Sequence, residues 1–330
     1  MGKLSNRIKK LFQEQMSDTL VNIADLRKGK ELAEEYADSI HSVEELVDQG
    51  ISPSLALYVN VQNLTSVLLE GIIELPPAKS MYTFFGKQEN LYDPGFPPHS
   101  PITISYYNLW LQFDAAFGDD LETIGSCILD MADILKIEGI QKTALKNLCD
   151  SRLSIYEITK KDSDRYVLRE YVTNKIFHVK FDVHFSGQAG DVVYTRILPD
   201  LFGDATFTAF GVPYQLLGYS ENEWLNYFKK HGIESGTENF EKKFYKHMKY
   251  GKDRNYWVEF AFWGYLQHRP DVIYLMGLPD NVASQAAHES FNAYLKHESA
   301  YRKIEPRLLK ASIQRRSGHS LNAKNEKSIF

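Results

Sequence analysis

Glu259, Asp280 and His288 are the residues whose types and spacing come nearest to acid–base chemistry. Glu259 is the one acid in Asn255-Tyr-Trp-Val-Glu-Phe-Ala-Phe-Trp-Gly-Tyr-Leu266, a run crowded with aromatic rings. A carboxylate in such surroundings must be hydrogen-bonded, paired with a cation or protonated. Asp280 follows the apolar run Val272 to Met276, and Ser284 and His288 stand four residues apart on the next helical stretch. Brought together, Glu259, Asp280 and His288 would form the carboxylate/His site of a hydrolase. No glycines flank Ser284 as in a nucleophile elbow, and capping by Asp280 or Ser284 is the simpler account of those two. Glu259 reads more simply as a paired carboxylate that pins the region.

A second constellation would bind rather than react. Between Phe240 and Arg254 the chain interleaves cations with rings. Lys242, Lys246, Lys249 and Arg254, with Arg269 further on, are candidate phosphate-binding residues, and Tyr250 is a stacking platform. More simply, Phe240, Phe244 and Met248 form a core stripe and the lysines are solvated. His178, Asp182 and His184 share one face of a strand. At about 3.3 Å per residue, His178 lies too far from His184 for one ion to reach both. Asp119-Asp120 reads as a helix cap with acid in the first turn. No P-loop, dinucleotide fingerprint, zinc set, kinase signature or EF-hand occurs, so no metal and no cofactor are expected.

These residues must be positioned by a folded chain. The 330 residues exceed the usual size of a single core, so two or three subdomains are expected. The aromatic share of 13% favours large buried rings. Net charge is −5 but uneven: residues 1–150 carry 12 Lys/Arg against 22 Asp/Glu, and residues 301–330 carry 8 against 2. An acidic body argues against wholesale duplex binding, while the basic tail permits contact with nucleic acid or an acidic partner. Cys127 and Cys149 stand in helical patterns and read as buried thiols, not a disulfide framework. The N-terminus lacks a signal peptide's apolar core, and no run of about 18 apolar residues exists. Met1-Gly2 lacks the Ser or Thr that myristoylation wants at position 6. A cytoplasmic protein with no membrane span is expected.

Hydrophobic period divides the chain. Residues 4–17 form an amphipathic helix with Leu4, Ile8, Leu11, Phe12 and Met16 on one stripe, which docks on the body or lies on a membrane. Helical patterns follow at 30–37, 43–49 and 54–71, a Pro/Gly-rich loop at 76–101, and helices at 104–117, 120–136 and 139–149. At Ser151 the period changes to 2. About five strands follow, at 154–159, 165–172, 176–185, 192–198 and 205–212, the pattern of a small antiparallel sheet or barrel. Helices return at 221–230, 237–250 and 254–268. Residues 272–276 read as a short buried strand, 282–297 and 304–313 as helices, and the end as disordered. Around Glu259 the helix is apolar nearly all round, hence buried. Gly264 within it points to close approach by another backbone element.

The block Lys249-Tyr-Gly-Lys-Asp-Arg-Asn-Tyr-Trp-Val-Glu-Phe through His268-Arg-Pro-Asp-Val-Ile-Tyr-Leu-Met-Gly-Leu-Pro-Asp280 resembles a block of uncharacterised bacterial proteins. Trp110 to Asp130 and Ser151 through Pro199 resemble parts of the same proteins, and together these cover most of residues 100–280. The strand region is also similar to the small β domain of some bacterial proteins with a SEC-C zinc tail. No such tail is expected here, since residues 151–330 contain no cysteine. The resemblance implies a bacterial cytosolic setting and supplies no activity.

The expected fold is α+β. It comprises an acidic helical region at 1–150, a small antiparallel β domain at 151–215, an aromatic-rich, mostly helical domain with one buried strand at 216–317, and a basic disordered tail at 318–330. The expected role is binding or scaffolding with a protein partner. Nucleic-acid association through 242–254 and the tail, and hydrolysis at Glu259, Asp280 and His288, are the alternatives. Composition leaves the oligomeric state open.

Overall fold

The computed structural model describes residues 2–17, 41–73, 81, 83–87, 100–182, 185–203, 206–251, 260–261, 264–269 and 271–279. Eight helices among them are α1 (Lys3–Ser17), α2 (Val43–Asp48), α3 (Pro53–Ile73), α4 (Pro101–Phe113), α5 (Ile124–Asp130), α6 (Gly139–Asp150), α7 (Glu221–Lys230) and α8 (Phe240–Tyr250). The strands are β1 (Leu153–Asp162), β2 (Arg165–Glu170), β3 (Ile176–Lys180), β4 (Val192–Pro199), β5 (Phe207–Ala209), β6 (Tyr214–Leu217), β7 (Tyr265–His268) and β8 (Ile273–Met276).

The strand region closes into a small barrel. Its order is β1-β2-β3-β5-β4, and β4 returns to pair with β1. Alternation along the strands sends Tyr156, Ile158, Tyr166, Leu168, Val179 and Val193 into one buried cluster that fills it. Five strands enclose too narrow a space for a ligand cavity. β4 is buried on both faces, because its other face meets the helices. There Leu198 joins the helical core around Ile8, Tyr58, Trp110, Phe113, Ile128 and Leu145.

One edge of β4 serves two strands in succession. Val193 and Tyr194 pair with Gln215 and Tyr214 of β6, whereas Ile197 to Pro199 pair with Ala209 to Phe207 of β5. The chain between β5 and β6 must therefore bend sharply, and Gly211 takes φ +92° there. A methyl group on Gly211 would stand 3.2 Å from the ring and hydroxyl of Tyr106. From β6 the sheet runs on through β8, parallel to it, to β7.

The α+β class and the central barrel stand as expected from the sequence, with several local differences. Tyr265–His268 is a strand, where helical periodicity predicts the last turn of a helix at 254–268. Phe260, Ala261 and Gly264 are helical, and a β-carbon on Gly264 would lie 3.5 Å from the Met276 carbonyl, so β8 makes the close approach. β3 ends at Lys180, short of the expected 185. Thr123, rather than Asp119 or Asp120, caps α5 through a reciprocal pair with Ser126. The acids of that loop serve α1 instead. Glu122 accepts hydrogen bonds from the N–H groups of Leu4 and Ser5 at 2.8 and 2.7 Å, and Asp120 accepts one from Lys3 at 3.3 Å. They satisfy free donors at the helix start across more than a hundred residues of sequence. With Ile8 fully buried, α1 docks on the body. Among the described residues no helix is long and apolar enough to cross a membrane.

The bend at Gly211 gives a direct test. Gly211→Ala is expected to destabilise the protein by about 2 kcal/mol, through backbone strain plus the contact with Tyr106. Gly190, at φ +91° with nothing within 4 Å of an added methyl, should cost only about 1 kcal/mol on the same change. Urea unfolding of the two variants compares them.

Candidate functional site

Asp114 sits just beyond α4, in the C-cap position, with φ −122° and ψ −28°. Ser100 starts that helix by accepting the Thr103 N–H at 3.1 Å, and Pro101 follows in the first turn. A carboxylate at a helix C-terminus opposes the helix dipole, so Asp114 needs cations. It has two. The Arg196 guanidinium, on the helix-facing side of β4, donates through Nη2 to Asp114 Oδ2 and through Nη1 to the Ser151 hydroxyl at 2.6 Å. Lys249, in the last turn of α8, donates to Asp114 Oδ1 at 3.1 Å and to the Ser151 carbonyl at 2.7 Å. Arg196 is 0% exposed, Asp114 2% and Lys249 3%. This triad ties α4, the barrel wall, the α6–β1 junction and α8 together.

Tyrosines surround the triad. Tyr106 and Tyr214 meet at a tilt of 58° with ring centroids 4.5 Å apart, and Tyr194 lies 5.9 Å from Tyr214. A cavity of about 20 Å³ is lined by Tyr106, Tyr194, Tyr214, Asp114, Lys249 and Trp110, among others. Among the described residues the Tyr214 hydroxyl and Arg196 Nε have no hydrogen-bond partner, and the Tyr106 hydroxyl lies beside Thr195 without a bond of good geometry. Burial pushes the pKa of Lys249 below the ordinary lysine value; Asp114 opposes that shift and Arg196 adds to it. Burial likewise holds the hydroxyls of Tyr106, Tyr156, Tyr194 and Tyr214 protonated well above the usual value near 10.

A larger groove of about 550 Å³ opens along α7. Asn222, Leu225, Asn226 and Lys229 line one wall from a single face of α7, at i, i+3, i+4 and i+7. The opposite face of α7 buries Trp224, Tyr227 and Phe228. Val172, Ile233 and Glu234 complete the groove. Val172 holds φ +70°, a left-handed backbone that β-branched residues avoid, and it is buried. Arg169 fixes the start of α7: it donates to both oxygens of Glu221, at 2.7 and 2.9 Å, and also to Glu157. That pairing holds the Glu221 carboxyl below its usual pKa.

The sequence-predicted residues fare differently. Glu259, Asp280, His288 and Arg254 lie outside the described residues. Lys242 and Lys246 are exposed on α8, as a phosphate-binding face requires. Lys249, seven residues beyond Lys242, shares that helix face by spacing, but in the last turn it is buried and pairs with Asp114, so it is not presented to solvent with the other two, which corrects its assignment as a binding residue. Tyr250 is half-buried beside the Lys249 ammonium, 5.8 Å from its ring centre. Arg269 pairs with Asp271 at 3.2 Å. Asp182 bonds Ser52 at 2.5 Å and Thr208 at 3.2 Å and pairs with Lys180, in keeping with a structural role. No group of three or more His, Cys, Asp or Glu suited to a metal ion occurs among the described residues. Cys127 is buried and Cys149 partly so, and burial pushes both thiols up to about 12. Sequence reasoning missed Asp114 and Arg196. Each is a lone charge in an apolar run, the feature that drew attention to Glu259.

No family model, curated protein or solved structure matches this chain.

The triad sets two expectations. Asp114→Asn leaves two buried cations without an anion and should cost about 3–5 kcal/mol, whereas Lys249→Met keeps the Asp114–Arg196 pair and should cost less than about 2 kcal/mol. Urea unfolding ranks them. The buried tyrosines set a third expectation, at alkaline pH. Their folded pKa values lie above the unfolded value near 10, so their contribution is complete below pH 10 and is lost as pH rises beyond it. Tyrosinate absorbance should therefore appear together with loss of near-ultraviolet circular dichroism.

Proposed function

We propose that the protein is a binding protein, and that the groove between α7 and the turn after β2 is its recognition surface. The groove carries this reading: about 550 Å³ with Val172, Leu225 and Ile233 as apolar lining and Asn222, Asn226, Lys229 and Glu234 around them. That volume is within the usual range for ligand sites, and the mixture of an apolar lining with a few polar groups suits one or two side chains of a partner segment. The side-chain amides of Asn222 and Asn226 offer donors and acceptors to an extended backbone. Leu225 is 37% exposed, so an aliphatic side chain is presented to solvent where a partner can cover it. The strained backbone at Val172 supports the same reading, because such conformations persist where surrounding structure holds a functional surface in place. The occupant best suited to this lining is a short segment of a partner protein with an aliphatic anchor. A bacterial cytosolic setting, as the sequence resemblance implies, is part of the same proposal.

Leu225→Glu tests it. The substitution sits on an exposed helix face and should change stability by less than about 0.5 kcal/mol. Affinity capture with the wild type, read by mass spectrometry, should return partners that the variant loses, with the melting temperature unchanged. Recovery of the same partners by both proteins would move the recognition surface elsewhere.

A further inference from the structure

The triad is not electrically balanced. Arg196 and Lys249 bring two positive charges to Asp114's one, all within a buried space. Both carboxylate oxygens of Asp114 are occupied, Oδ1 by Lys249 and Oδ2 by Arg196. An ammonium has three donor protons, and Lys249 spends two of them. The cavity beside it is lined by Lys249, Tyr106 and Tyr214 among others, and neither tyrosine hydroxyl has a well-formed hydrogen bond among the described residues. Unpaired buried donors and an unbalanced buried charge are each costly, and both costs fall on one small space. About 20 Å³ exceeds the roughly 10–15 Å³ that a single water-sized sphere needs, and no polyatomic ligand of substrate size fits.

We propose that this cavity binds one small monovalent anion, of the size and charge of chloride, held by the Lys249 ammonium and the hydroxyls of Tyr106 and Tyr214. The anion completes a two-plus-two arrangement with Asp114 and Arg196. Asp114 and Tyr194 also face the cavity, and the positive charges of Lys249 and Arg196 offset the repulsion between Asp114 and a bound anion. Burial and the nearby guanidinium both press Lys249 toward its neutral form, and a bound anion restores the charged one. The site thus makes the joint between helices and barrel responsive to halide.

Thermal unfolding of the full chain in sodium chloride and in sodium gluconate, at matched ionic strength, tests this. The melting temperature should climb with chloride and stay flat in gluconate, since a ligand that binds only the folded state stabilises it by mass action. Bromide soaked into crystals should give an anomalous peak inside the cavity. Lys249→Met should abolish the chloride dependence, and Tyr214→Phe, which deletes one donor and keeps the ring, should weaken apparent affinity about tenfold. Equal melting temperatures in the two salts, or a cavity without bromide, would overturn the proposal. So would a chloride response of unchanged size in Tyr214→Phe, which serves if Lys249→Met fails to fold.

Discussion

The contact on which the structure turns is the bidentate use of one carboxylate by two cations. Asp114 ends a helix of the N-terminal layer, Arg196 stands on the barrel wall, and Lys249 ends a helix of the C-terminal region. Each charge buried alone would be expensive; together they are tolerable only if their geometry is kept. A purely apolar joint would let the layers slide, since dispersion has little directional preference. Two hydrogen bonds to separate oxygens fix both distance and angle. Ser151 reinforces this at the point where α6 becomes β1: its hydroxyl oxygen accepts from Arg196 and its carbonyl accepts from Lys249. The helix-to-strand transition of the chain is thereby built into the joint.

The barrel supplies the other half of the geometry. Closing the ring at β1–β4 leaves those strands no free edge. Because β4 passes from β6 to β5 along one edge, the neighbouring chain bends at Gly211, and Tyr106 fills the angle. Arg196 lies at that change of partners, where its carbonyl accepts the Phe210 N–H at 2.9 Å.

Much of this was legible in the sequence, and the limits have physical causes. The shift from period 3.6 to period 2 at Ser151 falls two residues before β1 begins at Leu153, because side chains repeat every two residues in strands and every 3.6 in helices. β7 was missed because Tyr265, Leu266 and His268 fit a helical face as well as a strand, and a four-residue strand fixed by β8 carries no local signal of its own. β6 was missed because it is buried throughout and shows no alternation. Lys242, Lys246 and Lys249 share one face of α8, yet Lys242 and Lys246 are in water while Lys249, in the last turn, is in the core. Sequence spacing locates such residues on a helix; only the packed partner decides which of them meets solvent. Asp114 and Arg196 lie 82 residues apart, and nothing local announces that two lone charges in apolar runs are each other's solution.

That long-range pairing bears on where recognition can reside. The triad is buried and holds a helix end, the barrel wall and α8 at one point, so motion there disturbs all three. The groove beside Leu225 is peripheral, but it is not loose. Trp224, Tyr227 and Phe228 anchor the inner face of α7, and Arg169 clamps its first turn through Glu221. A helix held on its inner face and at its start presents its outer residues in a fixed frame. A partner meeting such a frame gives up less ordering entropy than one meeting a mobile loop. The left-handed Val172 then has an energetic logic: the strain costs on the order of 1–3 kcal/mol, and it is sustained because the clamp and the aromatic cluster leave that turn no relaxed alternative. The rigid joint at Asp114 and the exposed face of α7 are thus two ends of one arrangement, in which α7 and α8, packed together through Phe228 and Phe244, carry positional order from the buried charges to the surface.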